Sequence, residues 1–249
     1  MAPWIVIAIA LSGAISFSLY DLARQRGWRE LPNDPGLRCL VITLALITVL
    51  LTLAMGLSGH YDWSAVIRDA PLLAASAQTT AGFSTLPISD LDPASKAITM
   101  LAMFIGGDAG STAGGIKIIR WLLVLQLIGL TIVQTALPGR TVTSLRLYGQ
   151  TFDDRLLQHT FAVILLFIVV IALSWFAFLT YGYAPLDSLF DVVSATATTG
   201  LSSGVTATDL PTPLKLVLCL DMLMGRVEVL AVLAFLYPAN WFGKKAAMI

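Results

Sequence analysis

Two stretches of this chain combine hydroxyl side chains and glycine in an order suited to holding a bare cation by its oxygen atoms. The first is Gln78-Thr79-Thr80-Ala81-Gly82-Phe83-Ser84-Thr85 and the second is Ala197-Thr198-Thr199-Gly200-Leu201-Ser202-Ser203-Gly204. A cation stripped of water needs replacement dipoles at close range, and backbone carbonyls supply them. Glycine can turn its carbonyl toward an axis in conformations barred to other residues, so Gly82 and Gly200 are the candidate centres of two ion-coordinating loops. The hydroxyls of Thr80, Ser84, Thr85, Thr198, Thr199, Ser202 and Ser203 can add ligands or brace those loops. No basic residue lies in 72–85 or 188–204, so nothing in either loop repels a cation. Aligning Gly82 with Gly200 sets a period of 118 residues, which also places Pro93 on Pro211 and Gly107 on Gly225. One such motif is weak evidence; two in register are strong.

The elements that must position these loops belong to a membrane protein. Apolar residues make up 57% of the 249 residues and charged residues only 12%, against about 25% charged in soluble domains. With 15 basic and 15 acidic residues the net charge is zero, so nothing points to nucleic acid. Cys39 and Cys219 lie inside apolar runs and read as packing residues, and His60 and His159, far apart, as ordinary polar positions. Only Met1 precedes the apolar stretch 2–14 and no clean cleavage site follows, which argues against a signal peptide.

Residues 5–20 predict an apolar helix running into Arg24, Arg26 and Arg29, followed by the breaker cluster Pro32-Asn33-Asp34-Pro35-Gly36. Residues 37–57 and 156–179 predict full spans. Residues 62–78 and 185–197 are too short and mixed to cross a bilayer and predict re-entrant half-helices. Each aims its C-terminal partial negative charge at the loop that follows, which favours a cation. Such loops reach membrane depth only where they line a cavity or are buried in protein. Residues 94–131 would be a span, but Gly106, Gly107, Gly110, Gly114 and Gly115 fall close together with Asp108, Ser111 and Thr112 among them. Glycine costs about 1 kcal/mol against alanine in a helix interior, so this helix is predicted to break. Residues 212–237 predict one last continuous span.

Basic residues set the orientation. Arg24, Arg26, Arg29, Arg38, Lys117, Arg120, Arg140, Arg146, Arg155, Lys244 and Lys245 gather on one side, while the loop side carries Arg68, Lys96 and Lys215. The positive-inside rule turns the loops outward. Asp62, Asp69, Asp90, Asp92, Asp187, Asp191 and Asp209 then crowd the outer mouth, where they raise local cation concentration or cap half-helices.

Thr80-Ala81-Gly82-Phe83-Ser84-Thr85, Phe104 through Lys117, Thr199-Gly200-Leu201-Ser202 and Gly225-Arg226-Val227-Glu228 together resemble the Trk/Ktr/HKT superfamily of potassium transporters. Glu228, Pro238 and Trp241 resemble its bacterial TrkH/TrkG branch more than KtrB. The resemblance implies an all-α membrane protein, K+-channel-like, in which four helix–pore half-helix–helix repeats with extended filter loops surround one pore. This chain matches the third and fourth: 32–140 with its filter at Gly82, and 141–249 with its filter at Gly200. Residues 1–31 resemble the end of the preceding repeat's last helix.

The resemblance makes Thr80, Ala81, Gly82, Phe83, Thr198, Thr199, Gly200 and Leu201 the K+ selectivity filter, with K+ held at Thr80, Ala81, Gly82, Thr198, Thr199 and Gly200. It makes Gly106, Gly107, Asp108, Gly110, Ser111, Thr112, Gly114 and Gly115 a gating loop below that filter, and Arg226 a pore-lining arginine. From the residues alone, 110–117 nearly matches a phosphate-binding loop, but Ile116 precedes the lysine and Ile118 replaces the required Ser/Thr. Arg226 could instead serve a buried pair with Asp108, which the 118-residue offset aligns with it, or with Asp221 or Glu228.

Potassium uptake across a bacterial inner membrane is therefore the expected function, by a multi-pass pore subunit that is not an enzyme and uses no organic cofactor. Expected partners are lipid, the missing N-terminal half or a second copy of this chain, and a TrkA-like cytoplasmic nucleotide-binding subunit, with complete pores paired as homodimers. Two alternatives remain open at this point: a cation-coupled secondary transporter, with Na+/K+ or H+/K+ symport at a broken helix, and a non-conducting half-subunit.

Overall fold

Aspartate followed by proline opens two of the long apolar segments. Asp34 caps the helix that begins at Pro35 by accepting from Leu37 N at 2.8 Å, and Asp92 caps the one that begins at Pro93 by accepting from Ser95 N at 3.0 Å. Proline at the first helical position has no N–H to leave unsatisfied, and the carboxylate fills an orphan donor further in. The computed structural model describes residues 2–136, 146–147, 150–151 and 154–237. Among them are ten α-helices: α1 (Ala2–Ala14), α2 (Phe17–Arg26), α3 (Pro35–Leu57), α4 (Trp63–Gln78), α5 (Pro93–Ile105), α6 (Ile118–Ala136), α7 (Asp154–Thr180), α8 (Pro185–Thr196), α9 (Thr212–Val227) and α10 (Val229–Leu236). The fold is all-α as expected, apart from a two-residue antiparallel pairing of Arg146–Leu147 with Gln150–Thr151.

α3 and α7 are long and apolar enough to cross a membrane. Their outward faces suit an apolar surrounding: Ile42 is 66% exposed and Leu173 68% exposed, an arrangement that water would penalise and lipid does not. Their inward faces, with Ile47, Leu51 and Met55 on α3 and Phe167, Ile171 and Phe178 on α7, join one core with the short helices α4, α5, α8 and α9. α4 packs between α3 and α5, and α8 between α7 and α9. Helix–half-helix–helix is thus built twice. Small residues permit the close approaches that lipid cannot drive: a β-carbon added to Gly225 on α9 would lie 1.7 Å from Thr196 O at the end of α8.

Two expected helices differ from expectation. The apolar stretch 5–20 is not one helix but two, α1 and α2, bent by 85°. The last span, expected to be continuous over 212–237, breaks at Glu228, whose φ is +70°. At the break both carboxylate oxygens of Glu228 accept from Nη2 of Arg120 on α6, at 2.7 and 2.8 Å. By contrast the segment of five glycines is non-helical as expected, with Gly106 (φ +61°) ending α5 and the chain resuming as α6 at Ile118. The expected boundary at 140/141 and the basic residues Arg140, Lys244 and Lys245 lie outside the described residues, as do Pro238 and Trp241.

Candidate functional site

The two half-helices end alike, down to individual hydrogen bonds. Thr79 N, Thr80 N and Ala81 N donate to the carbonyls of Ala75, Ala77 and Ser76, and Ala197 N, Thr198 N and Thr199 N donate to those of Val193, Ala195 and Ser194. Thr80 (φ +53°) and Thr198 (φ +55°) both adopt left-handed conformations that side chains resist, and Gly82 (φ +74°) and Gly200 (φ +89°) follow them. Strain of this kind costs about 1–3 kcal/mol per residue and persists where surroundings over-determine it. Ser76 and Ser194, one period apart, supply part of that determination: Ser76 Oγ accepts from Phe83 N at 2.6 Å, and Ser194 Oγ accepts from Gly200 N at 3.1 Å. Their recurrence at the 118-residue spacing is a signal readable in the sequence, beside those of the glycines and threonines.

Further out, the loops are braced differently. In the second repeat Asp191, buried on α8, accepts from Ser203 N, Ser203 Oγ, Ser202 Oγ, Thr206 N and Thr206 Oγ1 at 2.5–2.9 Å. In the first repeat Asp69 on α4 accepts from Thr85 Oγ1 at 3.0 Å and is clamped by Arg68. Asp187, one period after Asp69, instead pairs with Lys96 of α5 at 2.7 Å, joining the two repeats. Of the outer aspartates, then, Asp92 caps a helix while Asp69, Asp187 and Asp191 hold loops or repeats together. Tyr61 lies beside Asp90 and Asp92 outside the helices; burial first, then those two carboxylates, push its phenol above the ordinary value.

The two glycine loops abut. A β-carbon on Gly82 would lie 2.1 Å from Thr199 O, whereas one on Gly200 meets nothing within 4 Å. The hydroxyls of Thr198 and Thr199 are buried with no hydrogen-bond partner among the described residues. Directly against these loops sits 106–115. Gly114 N donates to Thr80 Oγ1 at 2.7 Å, and a β-carbon on Gly114 would lie 2.0 Å from Ala197 O and 2.4 Å from Thr198 Oγ1. Glycine is required there because the segment touches the base of both loops at once.

Arg226 is exposed and donates through Nη1 to Thr112 O at 2.6 Å. It borders a cavity of about 430 Å³ with Thr198, Thr199 and Gly200. It also borders one of about 320 Å³ with Ser111, Gly115 and Lys117. The buried pair considered for it does not form. Asp108 faces away, its oxygens against Gly36; Asp221 accepts from Ser174 Oγ at 2.7 Å; and Glu228 belongs to Arg120. The 118-residue offset aligned Asp108 with Arg226, but Asp108 lies in a non-helical loop and Arg226 on a helix, so the register says nothing about which way each side chain faces. Lys117 Nζ donates to Ala113 O, so two successive carbonyls of the loop, at Thr112 and Ala113, each accept from a cationic side chain. Among the described residues no cluster of side chains suits a resident metal ion.

Comparison with known proteins agrees with this architecture. A family model described as TrkH, cation transport protein, matches residues 3–241. The chain is 31% identical over 233 residues to an uncharacterized cation transporter of Methanocaldococcus jannaschii, covering 93% of this chain and 47% of that one. It is 28% identical over 238 residues to the Trk system potassium uptake protein TrkH of Halomonas elongata, covering 94% and 49%. The crystal structure of the potassium transporter TrkH from Vibrio parahaemolyticus superposes with a TM-score of 0.86 at 24% identity, over 96% of this chain and 52% of that one. The chain thus spans about half the length of the relatives it matches. On these grounds the chain belongs to the TrkH family of cation transport proteins.

Proposed function

We propose that this chain contributes two of the filter loops of a potassium pore in a bacterial inner membrane, Trk-type, and carries the pore's gate. The observation that carries the reading is the Gly114–Thr80 hydrogen bond: the glycine-rich segment is seated on the base of both candidate filter loops. Thr80, Ala81 and Gly82, with Thr198, Thr199 and Gly200, would hold K+, and the unpartnered hydroxyls of Thr198 and Thr199 suit that task. Phe83 and Leu201 complete the loops. Residues 106–115 block the inner end, and Arg226 both fastens the segment and opposes a cation electrostatically.

The ring needs further loops. Thr199 is laid against Gly82, and the corresponding direction at Gly200 is open, so another repeat can be laid there in the same way. A first half carrying the other two repeats, or a second copy of this chain, would supply it. The basic inner surface is where a TrkA-like nucleotide-binding subunit would dock, and complete pores would pair as homodimers. The test is growth of a potassium-uptake-deficient bacterium on low K+, with this chain alone and with a co-expressed first half. Growth with Rb+ uptake in either arm supports the proposal. Membrane-inserted protein that restores neither, with both halves present, overturns it.

A further inference from the structure

The bend between α1 and α2 has no proline to cause it, and between Trp4 and Arg26 the only glycine is Gly13. Sharp helix kinks come from proline, from Gly/Ser positions, or from a group inserted into the hydrogen-bond ladder. Here the inserted group is the glycine-rich segment. Thr112 donates to Gly13 O twice, from N at 3.0 Å and from Oγ1 at 2.8 Å; Asp108 N donates to Ala14 O at 3.1 Å; and Phe17 N donates to Gly110 O at 3.1 Å. Contact is tight: a β-carbon on Gly13 would lie 2.8 Å from Thr112 Oγ1, and one on Gly107 would lie 3.2 Å from Ala14 O.

These are the same backbone groups a straight helix would use on itself. In a continuous helix Phe17 N donates to Gly13 O, four residues back, and Ser18 N to Ala14 O. Straightening would therefore satisfy Gly13, Ala14 and Phe17 internally and release Gly110, Thr112 and Asp108 together. The apolar pattern across 5–20 is that of one helix, so both states are compatible with the sequence. We infer that α1 and α2 form a two-state latch. Bent, their broken ends hold residues 106–115 against the filter; straight, they take their hydrogen bonds back and let the segment go. This rests on the reading of 106–115 as the gate. It is distinct from the Arg226 contact, which grips the segment through Thr112 O.

The experiment places spin labels at the exposed positions Trp4 and Arg26, with Cys39 and Cys219 replaced by serine, in the chain reconstituted in vesicles with whatever half completes the pore. A bend of 85° gives a separation of about 24 Å and a straight helix about 33 Å. Gly13→Ala collides with Thr112 Oγ1 and favours a helix interior, so the straight population should rise about fivefold and Rb+ flux with it. Phe17→Pro fits the first turn of α2, because Ser16 is extended at ψ +133°; it gives up the Phe17 N–Gly110 O bond but keeps the bonds to Gly13 O and Ala14 O, and it forbids the straight helix. It should hold the short distance and lower flux. Deleting 108–112 removes the inserted group and should shift the distribution toward the long distance. A distance that stays near 24 Å in both Gly13→Ala and the deletion overturns the latch whatever the flux does. Straightening with unchanged flux would leave the latch standing and remove the gate reading.

Discussion

Gly82 and Gly200 hold equivalent positions but not equivalent space. A side chain at either must adopt positive φ, yet only at Gly82 would it also meet Thr199 O. Both Gly82→Ser and Gly200→Ser are expected to reduce K+ over Na+ discrimination, since carbonyl geometry shifts in each. Gly82→Ser should in addition lower thermal stability, by about 1–3 kcal/mol, because two backbones must part. Equal melting temperatures for the two variants would contradict the abutting of the loops. Arg226 makes a second test at this scale. Arg226→Gln keeps a donor for Thr112 O and loses the positive charge in the cavity, so Rb+ uptake is expected to rise with the melting point little changed. A fall in both would return the arginine to a structural role.

At the scale of elements, the break between α9 and α10 depends on a residue poorly suited to it. Glu228 holds φ +70° where Arg120 binds its carboxylate from α6. Glu228→Ala loses the ion pair and keeps the strain, whereas Glu228→Gly loses the pair and relieves the strain. The glycine variant should therefore be more stable than the alanine variant by about 1–3 kcal/mol in thermal melting; the reverse order would show that backbone strain is absent there. Elements were legible in the sequence where their punctuation was local. The half-helices α4 and α8 stop at Thr/Gly clusters, and five glycines announce the gap between α5 and α6. The bend after Ala14 and the break at Glu228 were not legible, because each is imposed by a distant partner, the 106–115 segment or Arg120. Likewise Asp191 braces the second loop where the first repeat has Leu73 one period earlier, so no repeat signal pointed to it.

For the molecule as a whole, the seam between repeats runs through Lys96 and Asp187. Their side chains are 8% and 33% exposed, and Lys96 Nζ also donates to Ser89 O at 3.1 Å. Removing one partner should therefore be asymmetric. Asp187→Leu strands a buried ammonium and should cost about 3–5 kcal/mol. Lys96→Met leaves a carboxylate that water reaches and should cost about 1 kcal/mol. Melting of the two variants and their double mutant checks this, and similar losses would mean that the seam is held elsewhere. Across that seam, left-handed backbone recurs with one spacing: Thr80 with Thr198, Gly82 with Gly200, and Gly110 with Glu228. The side chains at the last pair are unrelated, so what the two repeats share there is a path of the main chain and not a set of contacts. Each repeat is in that sense an interchangeable part, cut to a common gauge. Segments outside the matched points are free to lengthen or change composition, while a single inserted residue within 80–110 or 198–228 would throw the candidate filter loop and the break out of step.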